Sequence, residues 1–237
     1  MLSEKPWKPE AVMFLLGGVF LCITAGALLT DALYGKPAAA DEISFGRAVI
    51  GILSFQGSAL LLACFFVRYH RVRLRDAFGF TNQWKKAALL GCCTAFFFLP
   101  AGWILNSISI WALQLLHHPA TEQAAVQTLR VVNTHTQEVA MIALTIGLAP
   151  VVEEILFRGI FYPLVKQAGF PRTALWGVSL LFAASHFNAM AFVPLLVLAV
   201  LLTLLYERTN NLLAPIAAHS LFNTLNFALF YMQKGHA

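Results

Sequence analysis

Apolar runs of membrane-spanning length dominate this sequence. At least four stretches of roughly 20 mainly apolar residues follow one another along the 237-residue chain. A segment of that kind crosses the hydrocarbon core as a helix, because lipid offers no hydrogen-bond partners to an open backbone. The sequence therefore predicts an all-α fold: a polytopic transmembrane bundle of about seven helices, or eight, in one integral membrane domain over residues 1–237.

The composition agrees with this class and excludes others. The chain is 59% hydrophobic and 11% charged, whereas soluble domains carry about 25% charged residues. Its net charge of +5 would suit nucleic acid or an anionic membrane surface. The basic residues lie at the ends of apolar runs, with no basic stripe among aromatic residues, so nucleic acid is not an expected partner. The four cysteines lie inside apolar runs without metal-ligand spacing and are interpreted as buried thiols.

Seven membrane segments can be drawn, at 11–33, 45–67, 86–116, 138–166, 173–187, 190–206 and 212–231. The loop between the second and third is rich in arginine and lysine, and the positive-inside rule puts it in the cytoplasm. Alternation of the helices then puts 12 of the 16 basic residues on that side, and the N-terminus is predicted to be cytoplasmic. The first apolar run is too long for a signal peptide, and the Ala38–Ala40 stretch lies too far beyond it for cleavage, so we expect an uncleaved helix.

A polar stretch over 117–137 is predicted to lie outside the membrane. Val126, Leu129 and Val132 recur there at helical spacing. An interfacial amphipathic helix and a solvated loop both fit this pattern.

The apolar cores of the first three segments contain no charged residue or histidine, and every intramembrane charge or imidazole lies after residue 138. A carboxylate at the centre of a membrane helix costs about 2.5–3.5 kcal/mol on insertion scales, and Glu153 and Glu154 are adjacent. One explanation is a buried ion-pair cluster that fixes helix packing. The other is a functional site.

Helix geometry separates the two glutamates. Glu154 and Arg158 are four residues apart and share a helix face, so they can pair. Glu153 is rotated about 100° from Glu154 and keeps its own face. The spacing predicts that Arg158 neutralises Glu154 and leaves Glu153 free as a general base.

Residue counting brings three further side chains to the depth of Glu153. Glu153 and His186 lie on either side of a turn near 166–172, each on the order of 20 Å from it. His219 is roughly 15 Å from the next turn, and Asn223 is one helical turn deeper. We therefore predict one site in a catalytic core over residues 138–231.

The four side chains predicted at this depth include the groups that hydrolysis needs. Glu153, helped by His186, could deprotonate a water molecule, while His219 and Asn223 could donate hydrogen bonds to an oxyanion. Ser185 is expected on another face, so water is the better nucleophile and no cofactor is required. In an alternative, Glu153, His186 and His219 hold a zinc ion with one open position, although no HExxH motif is present.

Three motifs in this order resemble the CAAX protease and bacteriocin-processing family of intramembrane proteases. Its EExxxR motif is matched from Glu153 to Arg158, its FxxxH motif from Phe182 to His186, and its HxxxN motif from His219 to Asn223. The resemblance covers roughly residues 145–230. It implies an all-helical membrane endopeptidase in which Glu153 and His186 activate water, His219 and Asn223 form the oxyanion hole, and Glu154 and Arg158 support them.

The resemblance implies a membrane-associated protein or peptide as substrate, the bilayer as surroundings, and the cell membrane of a bacterium or archaeon as location. Whether the substrate is prenylated stays open. Two other functions remain: a non-enzymatic immunity or scaffold protein, and a proton-coupled transporter. The transporter is disfavoured because the two halves of the chain lack matching features.

Overall fold

The computed structural model describes residues 2–36, 44–80, 83–130, 132 and 134–234, and the Ala38–Ala40 stretch lies outside them. Nine helices and no strand are found in these ranges, which confirms the predicted all-α bundle. The helices are α1 Pro9–Tyr34, α2 Phe45–Tyr69, α3 Leu74–Phe78, α4 Trp84–Leu115, α5 Ala124–Arg130, α6 His135–Gln167, α7 Pro171–Ala184, α8 Ala189–Thr209 and α9 Leu213–Lys234.

Six of the described helices are long and apolar enough to cross a membrane, namely α1, α2, α4, α6, α8 and α9. The protein is therefore an integral membrane protein. The segment expected at 173–187 is α7, whose 14 residues rise only about 21 Å. It ends early because the chain turns at His186 and Phe187, where the backbone of Phe187 is left-handed, with φ of 47°.

Polar residues and prolines set the ends of several helices. Pro171 occupies the first turn of α7, where a missing N–H costs nothing. The Asn188 side chain accepts a hydrogen bond from the Ala191 backbone N–H at 2.8 Å and caps the start of α8. At the other end of α8, Asn210 adopts the left-handed conformation that stops a helix.

Three stretches of π-helix interrupt the regular winding, at Leu53–Gly57 in α2 and at Ala143–Leu148 and Ile155–Phe161 in α6. A π turn contains one extra residue, so it leaves backbone groups that the ordinary helical ladder does not use. The two in α6 lie on either side of Glu153 and Glu154. The irregular backbone is thus concentrated near the predicted site.

The stretch at 117–137 contains the short helix α5. Leu129 on α5 is buried, so this side chain packs against protein. The Arg130 guanidinium donates hydrogen bonds to both carboxylate oxygens of Glu122, at 2.8 and 2.6 Å. These bonds hold the pKa of Glu122 below its ordinary value.

The residues before α1 cross the ends of other helices. The Trp7 indole is buried and its Nε1–H donates to the Gly159 carbonyl of α6 at 2.8 Å. The Ser3 hydroxyl donates to the Asn210 side chain after α8 at 3.0 Å. The Lys8 backbone N–H donates to His70, which follows α2, at 3.1 Å. This segment therefore links α6 with the ends of α2 and α8.

Candidate active site

Glu154 is the centre of a fully buried ion-pair network. Its Oε1 lies 2.9 Å from the Arg158 Nη1 atom, and neither side chain has exposed surface. The same oxygen is 2.9 Å from the His219 Nδ1 atom. The predicted pairing of Glu154 with Arg158 is therefore present, and Glu154 also holds a histidine.

Arg158 is satisfied by three neighbours besides Glu154. Its Nη2 donates to the Ala199 carbonyl of α8 at 2.9 Å, and its Nε lies 3.4 Å from the Thr203 hydroxyl. The Phe182 ring covers the guanidinium, with 4.5 Å between the Cζ atom and the ring centroid. The network thus joins α6, α7, α8 and α9.

The Glu153 side chain points away from the Glu154–Arg158 pair, because it is rotated about 100° from Glu154 around the helix. Its Oε1 accepts a hydrogen bond from the Gln56 Nε2 atom of α2 at 3.0 Å. Its Oε2 is buried and accepts no hydrogen bond from any residue that the structure describes. The Nε2 atoms of His186 and His219 each lie 3.9 Å from this Oε2. The structure therefore brings Glu153, His186 and His219 together around one unpartnered oxygen.

The partners of the two histidines indicate which ring nitrogen carries the proton. His186 Nδ1 lies 2.8 Å from the Phe182 carbonyl, and His219 Nδ1 lies against the Glu154 carboxylate. Both partners only accept, so each Nδ1 carries a hydrogen. In a neutral imidazole the Nε2 atom is then an acceptor. Three acceptors converge around the gap, an arrangement that a bound water or a cation would satisfy.

Asn223 lies on the same side of α9 as His219, one turn along. Its Nδ2 donates to the Thr145 carbonyl at 3.1 Å. Thr145 lies in the π-helical stretch Ala143–Leu148 of α6, so Asn223 satisfies a carbonyl in an irregular part of that helix. Within the described residues the Asn223 side chain makes no hydrogen bond to Glu153, His186 or His219, so Asn223 is less closely joined to Glu153 than the two histidines are.

The Ser185 hydroxyl donates to the Phe182 carbonyl at 2.8 Å. That bond uses the only hydrogen of the hydroxyl at the end of α7, and the expectation that Ser185 is not the nucleophile stays a prediction.

The donor types around Glu153 fit zinc. A carboxylate oxygen and two imidazole Nε2 atoms are ordinary zinc ligands, and the two Nδ1–H groups have the carbonyl and carboxylate partners common behind such ligands. In the described part of the chain, however, no three His, Cys, Asp or Glu side chains are arranged to hold a metal ion as they stand. The ligand types of Glu153, His186 and His219 fit zinc, but their three side chains would have to move closer together to bind the ion.

Sequence reasoning missed Gln56 as a partner of Glu153. Gln56 is buried and lies in the π-helical stretch of α2. The available signal was an amide in an apolar run, where its side chain needs a hydrogen-bond partner. Thr203, which lies beside Arg158, was also missed. The available signal was of the same kind, a hydroxyl in an apolar helix.

The site lies in a segment that is similar to a known family. Residues 135–225 match the family model described as Rce1-like, type II CAAX prenyl endopeptidase. We refer to this matching segment as the Rce1-like domain. The domain contains Glu153, Glu154, Arg158, His186, His219 and Asn223. The resemblance that the three motifs carry is thereby confirmed.

One relative with a matching segment is the "Uncharacterized protein YpbD" of Bacillus subtilis (strain 168). The two are 35% identical over 77 residues, which are 31% of this chain and 36% of the relative. The match thus spans about a third of the relative's length. No solved structure matches significantly. Gln56, α1, α2 and α4 lie outside the Rce1-like domain.

Proposed function

We propose that this chain is an intramembrane endopeptidase that cleaves membrane-associated proteins or peptides with a water molecule activated by Glu153. The observation that carries the proposal is the unpartnered, buried Oε2 of Glu153, with the Nε2 atoms of His186 and His219 each 3.9 Å from it. A water in this gap would have a base beside it and a dry protein environment around it.

The reaction uses the carboxylate as a proton carrier. Glu153 Oε2 takes a proton from water while the water oxygen attacks the scissile carbonyl carbon. The tetrahedral intermediate then breaks its C–N bond, and Glu153 returns the proton to the leaving amine. The products are a carboxylic acid, which then loses its remaining proton to the solvent or to the released amine, and a free amine, and Glu153 is regenerated.

The two histidines differ in what lies behind them, which supports different roles. The Glu154 carboxylate holds His219 Nδ1, so His219 is proposed to direct its Nε2 atom to an oxyanion with that carboxylate behind it. The Phe182 carbonyl holds His186 Nδ1, and His186 is proposed to hold the water beside Glu153. Asn223 has a second amide N–H and is proposed to join His219 in the oxyanion hole.

The first test is the variant Glu153→Gln, purified and reconstituted in liposomes. Two quenched peptides serve as probes, one ending in a farnesylated CAAX sequence and one identical but unlipidated. We expect cleavage to fall to background because the amide cannot accept the water proton, while the variant elutes and melts as the wild type does. Glu207→Gln is the matched control, since Glu207 lies at the far end of α8 against Lys166 and Tyr162 and should retain cleavage.

Because the substrate class is itself proposed, the same pair of proteins is also compared in membranes of the source organism. New peptide termini that require wild-type protein and are absent with Glu153→Gln identify the substrate. Cleavage that persists in Glu153→Gln overturns Glu153 as the base. A cellular function that survives this substitution would favour an immunity or scaffold role.

The zinc-dependent version of the protease is the second candidate, favoured by the two Nε2 atoms that converge on a carboxylate. Glu153, His186 and His219 would hold the ion, which would act as a Lewis acid on the bound water. We expect wild-type activity to persist after treatment with a strong chelator and dialysis. Loss of activity, with recovery on addition of zinc, would support the metal-dependent alternative instead.

A further inference from the structure

Gln56 is a buried amide in the apolar helix α2, and only 6% of its surface is exposed. It lies in the π-helical stretch Leu53–Gly57, and π turns are frequent at functional sites. An amide within the bilayer loses its water and needs protein partners. Its presence here therefore requires an explanation within the protein.

The partner of Gln56 is the proposed catalytic base. Its Nε2 donates to Glu153 Oε1 at 3.0 Å. The orientation of the amide is determined because a carboxylate oxygen only accepts, and an amide oxygen in that place would be repelled. The Gln56 Oε1 atom is buried and accepts no hydrogen bond within the described ranges.

The hydrogen bond from Gln56 fixes the orientation of the Glu153 carboxylate and leaves Oε2 as its unpartnered oxygen. The terminal torsion of a glutamate is broad, so an unrestrained carboxylate samples many orientations. With Oε1 bound to Gln56, Oε2 is the atom that lies between the Nε2 atoms of His186 and His219. A base held in one orientation reacts faster than one that must find it.

We propose that Gln56 is a positioning residue that fixes the Glu153 carboxylate so that Oε2 faces the bound water. The site is then completed by α2, a helix outside the Rce1-like domain. The kinetic part of this inference rests on the proposed function, whereas the placement of the carboxylate can be tested without any substrate.

The first experiment is infrared spectroscopy of the purified full chain at fixed pH. The carboxyl band of Glu153 is identified as the one lost in Glu153→Gln. We expect Gln56→Met, which keeps the length of the side chain but cannot donate, to shift that band. Ser109→Ala is the matched control: it removes a similarly buried polar group in α4, bonded only to its own helix, and should leave the band unmoved.

The second experiment compares kcat and KM on whichever peptide the wild type cleaves. We expect Gln56→Met to lower kcat on the order of 10- to 100-fold, as misplacement of a reacting group does, with KM within about twofold of wild type. Gln56→Asn keeps the amide but shortens its reach, so it should give an intermediate kcat. If Gln56 only joined α2 to α6, its substitution would not lower kcat while leaving KM nearly unchanged.

Each outcome of these experiments supports or contradicts the positioning role of Gln56. An unmoved Glu153 band in Gln56→Met shows that the amide does not hold the carboxylate. A shifted band with unchanged kcat shows that the bond exists but does not serve catalysis. Should Gln56→Met not yield a folded protein, the same two readings on Gln56→Asn apply. If no peptide is cleaved even by wild type, the infrared result alone sustains or overturns the placement, separately from the proposed activity.

Discussion

Arg158 shows how a single residue can bear a full charge inside a membrane protein. None of its surface is exposed, and its charge is compensated by Glu154, the Ala199 carbonyl and the Phe182 ring. An isolated buried charge costs several kcal/mol, and a paired one is tolerated only while its partner remains. Arg158 therefore anchors the Glu154 carboxylate, and through Glu154 it holds the ring of His219.

Removal of one partner should cost more than removal of both. We expect Arg158→Met to lower the free energy of unfolding by about 3–5 kcal/mol because Glu154 is left uncompensated. The double variant Glu154→Gln/Arg158→Met should recover most of that loss. Thermal unfolding in detergent measures both, with Arg130→Met as a control, since the Arg130–Glu122 pair is exposed and should change the melting temperature little. Equal melting temperatures for Arg158→Met and wild type would contradict the buried-charge argument.

Close approach of α4 and α9 is the clearest requirement at the scale of helices. A side-chain carbon added at Gly91 of α4 would overlap the Ala214 carbonyl oxygen and contact Ala217 of α9. Small residues at such contacts let membrane helices pack tightly. The same helix α9 carries His219 and Asn223, so its distance from α4 bears on the site.

We expect Gly91→Ala to lower the free energy of unfolding by about 1–3 kcal/mol, because α9 must move to make room. This would lower the melting temperature by roughly 2–4 °C for each kcal/mol in a chain of this size. Gly17→Ala is the matched control, since a carbon added there in α1 meets nothing within 4 Å and alanine is the better helix former. A Gly91→Ala protein as stable as Gly17→Ala would show that the contact is not tight.

One end of the molecule carries the arginine-rich α2–α3 loop. The segment before α1, the α2–α3 loop and the chain around Asn210 meet there, and Leu212 donates a backbone hydrogen bond to the Phe78 carbonyl at 2.9 Å. The sequence predicts that this basic loop and the N-terminus lie on the same side of the membrane. The positive-inside rule predicts that this end faces the cytoplasm.

Cysteine labelling tests this orientation. In a background without Cys22, Cys64, Cys92 and Cys93, single cysteines replace the exposed residues Glu4 and Ala120. We expect an impermeant maleimide to label Ala120→Cys in intact cells and to label Glu4→Cys only after permeabilisation. The reverse pattern would place the basic end outside.

Much of this architecture could be predicted because bilayer thickness and helix periodicity are simple constraints. The apolar runs gave the spans, the four-residue spacing gave the Glu154–Arg158 pair, and depth counting brought His186 and His219 to Glu153. Gln56 could not be found in this way because its role depends on which face of α2 packs against α6. The end of α7 was predicted at 187, three residues beyond its position at Ala184, because Phe187 does not break an apolar pattern.

The short helix α7 creates a hydrophobic mismatch. Its 14 residues reach about 21 Å, some 9 Å less than the hydrocarbon thickness of roughly 30 Å. Lipid beside a short helix thins, or water and headgroups follow the helix end inward. We therefore expect the bilayer to be thinner, or water to enter, beside the turn at His186. The proposed hydrolysis needs water at a depth where lipid excludes it, and a short α7 would shorten the path by which that water arrives.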